Sequence, residues 1–312
     1  MGARLDRLTL LATFARIVER GSISAAARDL GMSQASASRQ LAQLEARIGV
    51  PLLVRTTHAL SLTEQGAAVL GGGRHLLSSW DALLDDVREE DGPLSGALKV
   101  IAPVALGQLH LSQAVLAFQR AHPGVDVTWI LEDAEIRFSE VGCDLWVRIG
   151  LPDDETLIAR SIGEVERLVV AAPSLLGNKT LESPASLRSL PALALAPFEG
   201  EDIPLTSATG GPYRLSVDAV LKTNNIFSLH QAARQAVGFA VMPRWMVADD
   251  LLTGHLVDVL PDWRAPTLRV TACFRPVQRQ SRRLRAFREA METAIRGIEG
   301  IAPLGEPHPN AS

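Results

Sequence analysis

Cysteine is scarce in this sequence, with Cys143 and Cys273 as the only two examples among 312 residues. Neither belongs to a CxxC motif or to a cluster with histidine, which argues against a structural zinc site. A reducing compartment would keep the two thiols apart, and a disulfide would need a chance proximity in the fold. With 47% apolar and 21% charged residues, the composition is that of ordinary globular domains, and the length allows two or three.

Long hydrophobic runs are also missing. No segment approaches the roughly 20 consecutive apolar residues that a membrane helix needs. Charges are scattered through residues 1–10, so this segment lacks the unbroken apolar stretch of a signal peptide. We therefore expect a cytoplasmic protein that does not enter a membrane.

Signals of catalysis are missing as well. No GxSxG elbow is present, and no GK[ST] follows Gly71-Gly72-Gly73, so neither a serine hydrolase nor a phosphate loop is indicated. His110 and His122 have no acid-rich motif between them, and such histidines are more often surface or helix-end residues than metal ligands. The sequence argues against an enzyme and implies no cofactor.

An overall excess of positive charge is absent too, because the formal net charge is −4. Residues 1–60 nevertheless contain eight arginines and four acids, a balance of +4, which leaves −8 for the rest of the chain. Residues 1–60, called the head below, are thus basic, and the rest of the chain is acidic. This asymmetry is expected of a DNA-binding module joined to another domain.

The basic segment has the pattern of a helix-turn-helix. Apolar residues at helical spacing predict a helix over 5–20. A short helix over 25–30 and a longer one from 34 to about 47 follow, each preceded by a serine that can cap it: Ser22 or Ser24 for the second helix and Ser33 for the third. Helix, short helix, turn and longer helix is the order of a helix-turn-helix.

The third helix begins with small polar residues, Ser33-Gln34-Ala35-Ser36, followed by Ser38 and Arg39. A helix that reads DNA needs short donors and acceptors near its N-terminus, where it enters the major groove. From periodicity alone, a generic three-helix bundle with solvated polar positions is an equally good interpretation.

Residues 52–62 predict two short strands around 56–59, which together form a wing. Thr63 can then cap a long helix to about residue 90, whose apolar or small positions alternate in steps of four and three, as in a coiled-coil seam: Val69, Gly73, Leu76, Trp80, Leu83 and Val87. Glycines at 71–73 each cost about 1 kcal/mol inside a helix. Either another helix approaches closely there, or the helix is soft.

From residue 96 onwards short apolar strands alternate with helical patterns, which predicts an α/β architecture. The predicted strands are 98–102, 125–131, 144–149, 168–172, 193–197, 239–242, 257–260 and 268–274, and the predicted helices are 111–121, 226–237 and 282–296. The tail after Gly300 is rich in proline and glycine and is expected to be disordered.

The N-terminal residues resemble the helix-turn-helix motif of LysR-type transcriptional regulators. The resemblance rests on Phe14 to Ala27, on Leu30-Gly31-Met32-Ser33-Gln34, on Ser38-Arg39-Gln40-Leu41, and on Leu62-Thr63-Glu64-Gln65-Gly66 after the wing. Further segments that resemble the family stand at 96–100, 102–107, 144–150 and 238–243, so the similarity extends over about residues 5–295.

The resemblance implies an α+β multidomain protein. Residues 1–63 would form a winged helix-turn-helix, 64–92 a linker and dimerisation helix, and 93–297 a two-lobed α/β effector-binding domain like a periplasmic binding protein. The first lobe would take about 93–161 and 266–297, the second about 162–265, and 298–312 would be a disordered tail. The implied partners are double-stranded promoter DNA, a small-molecule effector between the lobes, and further copies of the chain in a homodimer or homotetramer.

Position by position, the resemblance implies a set of DNA-contacting residues: Ser33, Gln34, Ser36, Ser38, Arg39, Arg55 and His58. Arg55 would touch phosphate or the minor groove. The position of His58 is often arginine in the family, so a neutral histidine would weaken a phosphate contact. DNA binding would then strengthen as His58 becomes protonated at lower pH.

The implied effector-binding residues follow strands of both lobes: Pro103, Val104, Ala105, Arg148, Ile149, Gly150, Phe198, Asn224 and Asn225. Arg148 has two interpretations, a countercharge for the ligand or a structural ion pair. Asn224 or Asn225 could instead cap the following helix. The modest polarity of these positions suggests a small organic acid or an aromatic compound as effector.

A cluster of arginines lies near the C-terminus: Arg275, Arg279, Arg282, Arg283, Arg285 and Arg288. It could be a second DNA-binding patch or a face paired with acids of the linker helix, such as Asp85, Asp86, Glu89 and Glu90, and the pairing is the better-supported interpretation. A solute-binding protein with a helical appendage is the alternative to a regulator, but it would need an export signal, and none is visible.

Overall fold

The computed structural model describes residues 6–55, 60–87, 92–177, 181–197, 202–207, 211–276 and 280–303. The chain forms two compact units. The first unit contains Met1–Ile101, Phe118–Trp146 and Phe274–Arg288, and the second contains Ala102–Ala117, Val147–Cys273 and Glu289–Ser312. None of the helices in the described ranges is long and apolar enough to cross a membrane.

Helices dominate the N-terminal part, and helices alternate with strands after residue 96. The N-terminal elements are α1 (Arg7–Arg20), α2 (Ile23–Asp29), α3 (Gln34–Ile48), β1 (Leu53–Arg55), β2 (Leu60–Leu62) and α4 (Glu64–Val87). Next come β3 (Gly96–Ala102), α5 (Val104–Leu106), a π-helical turn (Gly107–Leu111), α6 (Ser112–Ala121), β4 (Val125–Leu131), α7 (Phe138–Val141), β5 (Leu145–Ile149) and β6 (Ile158–Ala171). The chain continues with α8 (Pro173–Leu176), a 3₁₀ turn (Pro184–Ser189), β7 (Ala192–Leu195), β8 (Asp202–Ser207), β9 (Tyr213–Ser216), β10 (Ala219–Thr223), α9 (Ile226–Arg234), β11 (Ala240–Pro243), α10 (Arg244–Thr253), β12 (Val257–Asp258), β13 (Trp263–Phe274), α11 (Arg282–Arg296) and β14 (Ile301–Ala302).

The first three helices pack around one apolar core to which α4 and the wing also contribute. Predicted caps begin three of these helices: Ser22 Oγ accepts the Ala25 N–H at 3.3 Å, Ser33 Oγ accepts the Ser36 N–H at 3.2 Å, and Thr63 Oγ1 accepts the Gly66 N–H at 2.8 Å. β1 and β2 are antiparallel, with Leu53 opposite Leu62. The prediction of a winged helix-turn-helix is confirmed.

The long helix α4 continues without a break through the glycines at 71–73. It packs against α1, and a Cβ atom at Gly73 would lie 3.0 Å from Leu11 Cδ2. A Cβ atom at Gly72 would meet no atom within 4 Å. Close approach of another helix, one of the two explanations left open above, therefore accounts for Gly73 and not for Gly72.

In the first unit, β3 lies between β4 and β5. β3 and β5 are parallel, with Val100 opposite Leu145 and Ile101 opposite Trp146. α11 covers this sheet through Phe287, whose ring meets the ring of Phe118 edge-on at 5.0 Å. These contacts bring the C-terminal helix back onto the strands that follow the linker helix.

In the second unit, the long strands β6 and β13 lie side by side, and β11 and β12 pair with β6 in antiparallel fashion. Val169 and Ala171 of β6 belong to one apolar core, whereas Leu168, Val170 and Ala172 belong to another. Because successive side chains of a strand point to opposite faces, β6 is covered on both sides. This explains the unbroken apolar run at 168–172.

Several elements were not predicted: α7, α8, α10, β8, β9, β10 and the first half of β6. α7 and α8 are single turns, and the start of β6 is charged, with Arg160, Glu164 and Glu166. α10 buries Trp245, Val247 and Asp250 but exposes Leu252, so its residues do not form a clean apolar stripe. Periodicity is a weak signal for elements of this kind.

The prediction of disorder from residue 298 is wrong for the first part of the tail. Ile301–Ala302 form β14, which pairs with β6 so that Ile301 lies opposite Val165. Ile298 and Ile301 are buried, and this apolar burial holds the segment in place. Residues 304–312 lie outside the described residues.

Candidate functional site

The start of α3 presents small polar side chains at the protein surface. Ser33 Oγ donates a hydrogen bond to Ser36 Oγ at 3.0 Å while it caps the helix. Gln34 and Arg39 are exposed, and Ser36 and Ser38 are half-buried. Gln34 and Ser38 are four residues apart and share one face of the helix. The predicted residues of α3 thus lie together over its first two turns.

Arg39 folds back along its own helix. Its Nε donates to the Ala35 carbonyl at 3.3 Å, and its Nη2 donates to Ser36 Oγ at 3.4 Å. Both hydrogen bonds are long and exposed, so the guanidinium can exchange them for a stronger charged acceptor such as a phosphate. Arg55 lies at the end of β1, and His58 lies outside the described residues.

Sequence reasoning did not assign a role to Gln40, which the structure buries. Thr13 Oγ1 of α1 donates to Gln40 Oε1 at 2.6 Å, and Gln40 Nε2 donates to Met32 Sδ at 3.7 Å. Gln40 lies on the same face of α3 as the buried residues Ala37, Leu41 and Leu44, so helical periodicity could have found it. These bonds hold the orientation of α3 against α1.

The first group of predicted effector-binding residues lies at the carboxyl ends of two neighbouring parallel strands. Pro103 precedes α5, and Val104 and Ala105 form its start. Arg148 and Ile149 end β5. The register of β3 and β5 pairs Val100 with Leu145, so three residues later Pro103 and Arg148 are at the same level. The edge beyond the carboxyl ends of parallel strands is the usual ligand position in α/β folds.

Arg148, Ile149 and Gly150 are half-buried at this edge. Arg148 Nε lies 3.5 Å from the Ile149 carbonyl, and the Gly150 N–H donates to the Arg269 carbonyl of β13 at 2.7 Å. The second bond ties the end of β5 to one of the long strands. The countercharge role of Arg148 stays a prediction.

The second group of predicted residues lies at the end of β10. Asn225 caps α9, since its Oδ1 accepts the Ser228 N–H at 3.0 Å, which is the capping role left open above. Asn224 is exposed. The Ala196 N–H donates to the Thr223 carbonyl at 2.8 Å, so the chain after β7 passes beside these asparagines. Phe198, the next predicted residue, lies outside the described residues.

Two aromatic side chains from distant parts of the chain meet in the second unit. His110 lies in the π-helical turn that follows α5, and its ring meets that of Trp245, at the start of α10, edge-on at 5.3 Å. His110 Nε2 and Trp245 Nε1 are buried and find no hydrogen-bond partner among the described residues. Burial lowers the pKa of His110, so the ring is held neutral. The pair offers a polar group the indole N–H as a donor and the imidazole Nε2 as a donor or an acceptor, without supplying a positive charge.

Thiol and metal chemistry have no support in the described residues. Cys143 and Cys273 are both buried, and neither of these two cysteines forms a disulfide. Burial raises the pKa of the Cys143 thiol to about 12, so the reactive thiolate is scarce near neutral pH. No group of three His, Cys, Asp or Glu side chains in the described ranges could hold a metal ion.

Two members of the C-terminal arginine cluster are turned into the protein rather than towards solvent. Arg283 and Arg288 are buried, and Arg283 Nη2 forms an ion pair with Asp81 of α4 at 2.7 Å. Arg288 lies over the ring of Phe274 at 5.7 Å. The predicted pairing with linker-helix acids therefore holds for Arg283, with Asp81 as the acid. The acids named from the sequence, at 85, 86, 89 and 90, have no described side chains.

Two family profiles match the chain. The profile of the bacterial regulatory helix-turn-helix protein, lysR family, matches residues 8–67. The profile of the LysR substrate binding domain matches residues 91–296. The first match covers the three N-terminal helices and the wing, and the second covers the strands and helices after the linker.

Curated relatives match over nearly the whole length. The HTH-type transcriptional regulator PtxR of Pseudomonas aeruginosa is 33% identical over 300 residues, which cover 92% of this chain and 93% of that protein. The HTH-type transcriptional regulator DmlR of Escherichia coli is 29% identical over 266 residues, which cover 84% of this chain and 86% of that protein.

Solved structures show the same fold. A full-length variant of OxyR from Pseudomonas aeruginosa matches with a TM-score of 0.71 at 17% identity and covers 98% of this chain and 100% of that one. Full-length AphB from Vibrio cholerae matches with a TM-score of 0.57 at 24% identity, with 92% and 98% covered. The chain belongs to the LysR family of transcriptional regulators, which are not enzymes, and combines an N-terminal helix-turn-helix domain with a C-terminal effector-binding domain.

Proposed function

We propose that this protein binds specific promoter DNA through the first two turns of α3 and that a small molecule held in the effector-binding domain modulates this binding. The observation that carries the proposal is the exposed Gln34 at the start of α3, flanked by Ser33, Ser38 and Arg39 on a head of net positive charge. The protein acts in the cytoplasm on double-stranded DNA as a homodimer or homotetramer. Two heads read half-sites about one helical turn apart.

Domain limits of 1–63, 64–92 and 93–297 belong to the same proposal. The lobes of the effector-binding domain, about 93–161 with 266–297 and about 162–265, would hold the effector near Pro103, Val104, Ala105, Arg148, Ile149 and Gly150. Asn224, Asn225 and Phe198 would approach it from the second lobe. Pro103 and Arg148 lie side by side at the carboxyl ends of β3 and β5, and this arrangement supports an effector site there. A small organic acid or an aromatic compound fits the half-buried arginine there.

The direct experiment is to mix the purified protein with genomic DNA fragments at moderate salt and to sequence the retained pool. We expect a few promoter fragments that share a two-fold motif, with an affinity that falls steeply as salt rises, because arginines displace counterions from phosphates. Retention of all DNA fragments alike, or of none, would contradict specific DNA binding. The function would then have to reside in the effector-binding domain.

Gln34→Ala will reduce the preference for the enriched promoter over random DNA by about tenfold, since a glutamine bidentate to adenine contributes roughly 1–3 kcal/mol of discrimination. Competition binding with the two DNAs measures this ratio. Gln43→Ala is the matched control, because Gln43 is also exposed on α3 but lies beyond the turns that enter the groove. An equal loss of affinity for both DNAs would indicate that Gln34 contacts the DNA backbone, and it would refute the proposal that Gln34 recognises a base.

Arg148→Ala will retain promoter affinity but remove the response to effector. A reporter driven by the enriched promoter, in cells grown on different organic acids and aromatic compounds, should give constant output with this variant and variable output with the unchanged protein. Arg160→Ala is the control, because Arg160 is an exposed arginine of the same domain that pairs with Glu292 at 3.5 Å. Loss of folded protein only in Arg148→Ala would favour the structural ion pair.

A further inference from the structure

Arg74 of α4 connects three parts of the first unit. Its Nη2 donates to Glu19 Oε1 of α1 at 2.8 Å, and its Nη1 donates to the carbonyls of Val141 and Gly142 at 2.9 and 3.1 Å. Glu19 belongs to the DNA-binding head, whereas Val141 and Gly142 lie at the end of α7 in the effector-binding domain. The Arg74 side chain is 17% exposed, so these charge-assisted bonds are largely shielded from water.

The partner loop is shaped to receive this guanidinium. Gly142 has a left-handed backbone, with φ of 59°, and ends α7. A Cβ atom at this position would overlap the Arg74 guanidinium. The backbone conformation favours glycine, and a larger residue would displace the Arg74 guanidinium from these carbonyls. Lys99 Nζ donates to the same Val141 carbonyl at 2.9 Å, and burial together with the charge of Arg74 lowers the pKa of Lys99.

A second arginine ties the same face of α4 to the effector-binding domain. Arg283 of α11 pairs with Asp81, two turns after Arg74, and its Nε donates to the Ala97 carbonyl at 2.9 Å. Residues seven apart lie on one face of a helix. Among the described residues, Arg283 joins the linker helix to the effector-binding domain, whereas Arg74 also reaches the head through Glu19. Arg74 is thus in contact with both functional parts.

We propose that Arg74 is a positioning residue that couples the DNA-binding head to the effector-binding domain of the same chain, through Glu19 on one side and the Val141–Gly142 carbonyls on the other. The proposal rests on the proposed function in that DNA binding and effector response are the two activities being coupled. A change in the loop after α7 then reaches α1, which orients α3 through the Thr13–Gln40 bond.

Hydrogen exchange of the full-length protein, read by mass spectrometry, tests the contact. Arg74→Gln should raise exchange about five- to tenfold at the amides of Gly142 and Asp144, which donate to Phe138 and Lys99, and in the last turn of α1. In Arg74→Lys, the exchange rates of these amides should lie between those of the unchanged protein and those of Arg74→Gln, because lysine keeps the positive charge but lacks the planar guanidinium. Arg20→Gln is the control, since Arg20 pairs with Asp29 inside the head at 3.1 Å. Unchanged exchange at Gly142 in Arg74→Gln would overturn the proposal.

The coupling itself is tested by adding DNA, either the enriched promoter fragment or, if none is enriched, random duplex. Binding should alter exchange at 138–144 in the unchanged protein and in Arg20→Gln, but not in Arg74→Gln, while α3 is protected in all three. An equal change at 138–144 with and without Arg74 would overturn the coupling role, and so would no change at 138–144 in the unchanged protein. A protein whose α3 gains no protection would refute DNA binding, and the DNA-free comparison would still decide whether Arg74 holds the two domains together.

Discussion

Replacing Gly66 with alanine will unfold the N-terminal head under conditions in which the unchanged protein binds DNA. Gly66 lies in the first turn of α4, and a Cβ atom there would overlap the carbonyl oxygen of Leu52. That oxygen cannot move aside, because it accepts the Thr63 N–H at 3.0 Å at the point where the wing meets α4. We expect a loss of about 3 kcal/mol or more, since backbone rather than a flexible side chain must shift. Far-UV circular dichroism during thermal unfolding, together with promoter binding, measures the loss.

Gly72→Ala is the matched control, because Gly72 lies in the same helix and a Cβ atom there meets no atom within 4 Å. Alanine is preferred over glycine inside a helix by about 1 kcal/mol, so this variant should be more stable than the unchanged protein. If Gly66→Ala were as stable as Gly72→Ala, the close packing of α4 against Leu52 would be refuted.

Leu83→Glu will convert the proposed oligomer into a monomer. Leu76, Trp80 and Leu83 are 55%, 44% and 53% exposed on α4, at positions that form the predicted coiled-coil seam. A buried leucine contributes about 1.5–3 kcal/mol, and a two-fold interface contains each substitution twice. The dimer dissociation constant should therefore rise by a factor of about a hundred or more, and promoter affinity should fall because two linked heads no longer bind together. Sedimentation velocity over a range of protein concentrations measures the mass.

The control for this prediction is Leu252→Glu. Leu252 is 85% exposed on α10, so it is a more exposed leucine than Leu76 or Leu83 of the seam. We expect the Leu252→Glu protein to keep the mass and the promoter affinity of the unchanged protein. A Leu83→Glu protein that remains oligomeric would show that another surface joins the copies.

Local signals predicted the head well. Ser22, Ser33 and Thr63 each cap the helix that the pattern assigned to them, and the wing strands pair as expected. Such features depend on residues close together in the chain, where capping and turn chemistry act directly. The helix cap at Asn225 is also a local feature, because its side chain accepts a hydrogen bond from the N–H of Ser228, only three residues further along the chain.

Contacts between segments far apart in the chain could not be predicted from such local patterns. The charged half of β6 is a strand because β13 and β14 lie beside it, and no apolar alternation marks it. The edge-on meeting of His110 and Trp245 joins segments far apart in the chain, and neither residue belongs to a recognisable motif. For Gln40 the signal was present, because its spacing from Ala37 and Leu44 is helical, but a polar side chain is rarely assigned to a core.

Local periodicity, capping residues and a specific motif were enough to derive the family, the helix-turn-helix, the position of the linker helix and the group of side chains at the start of α3. Contacts between distant segments explain why position 66 is glycine, which acid pairs with Arg283, how residues 301–302 pack on β6, and that Arg74 touches both the head and the effector-binding domain. Packing and ion pairs depend on which distant segments the fold brings within a few ångströms of one another, and a single sequence carries no direct record of that proximity.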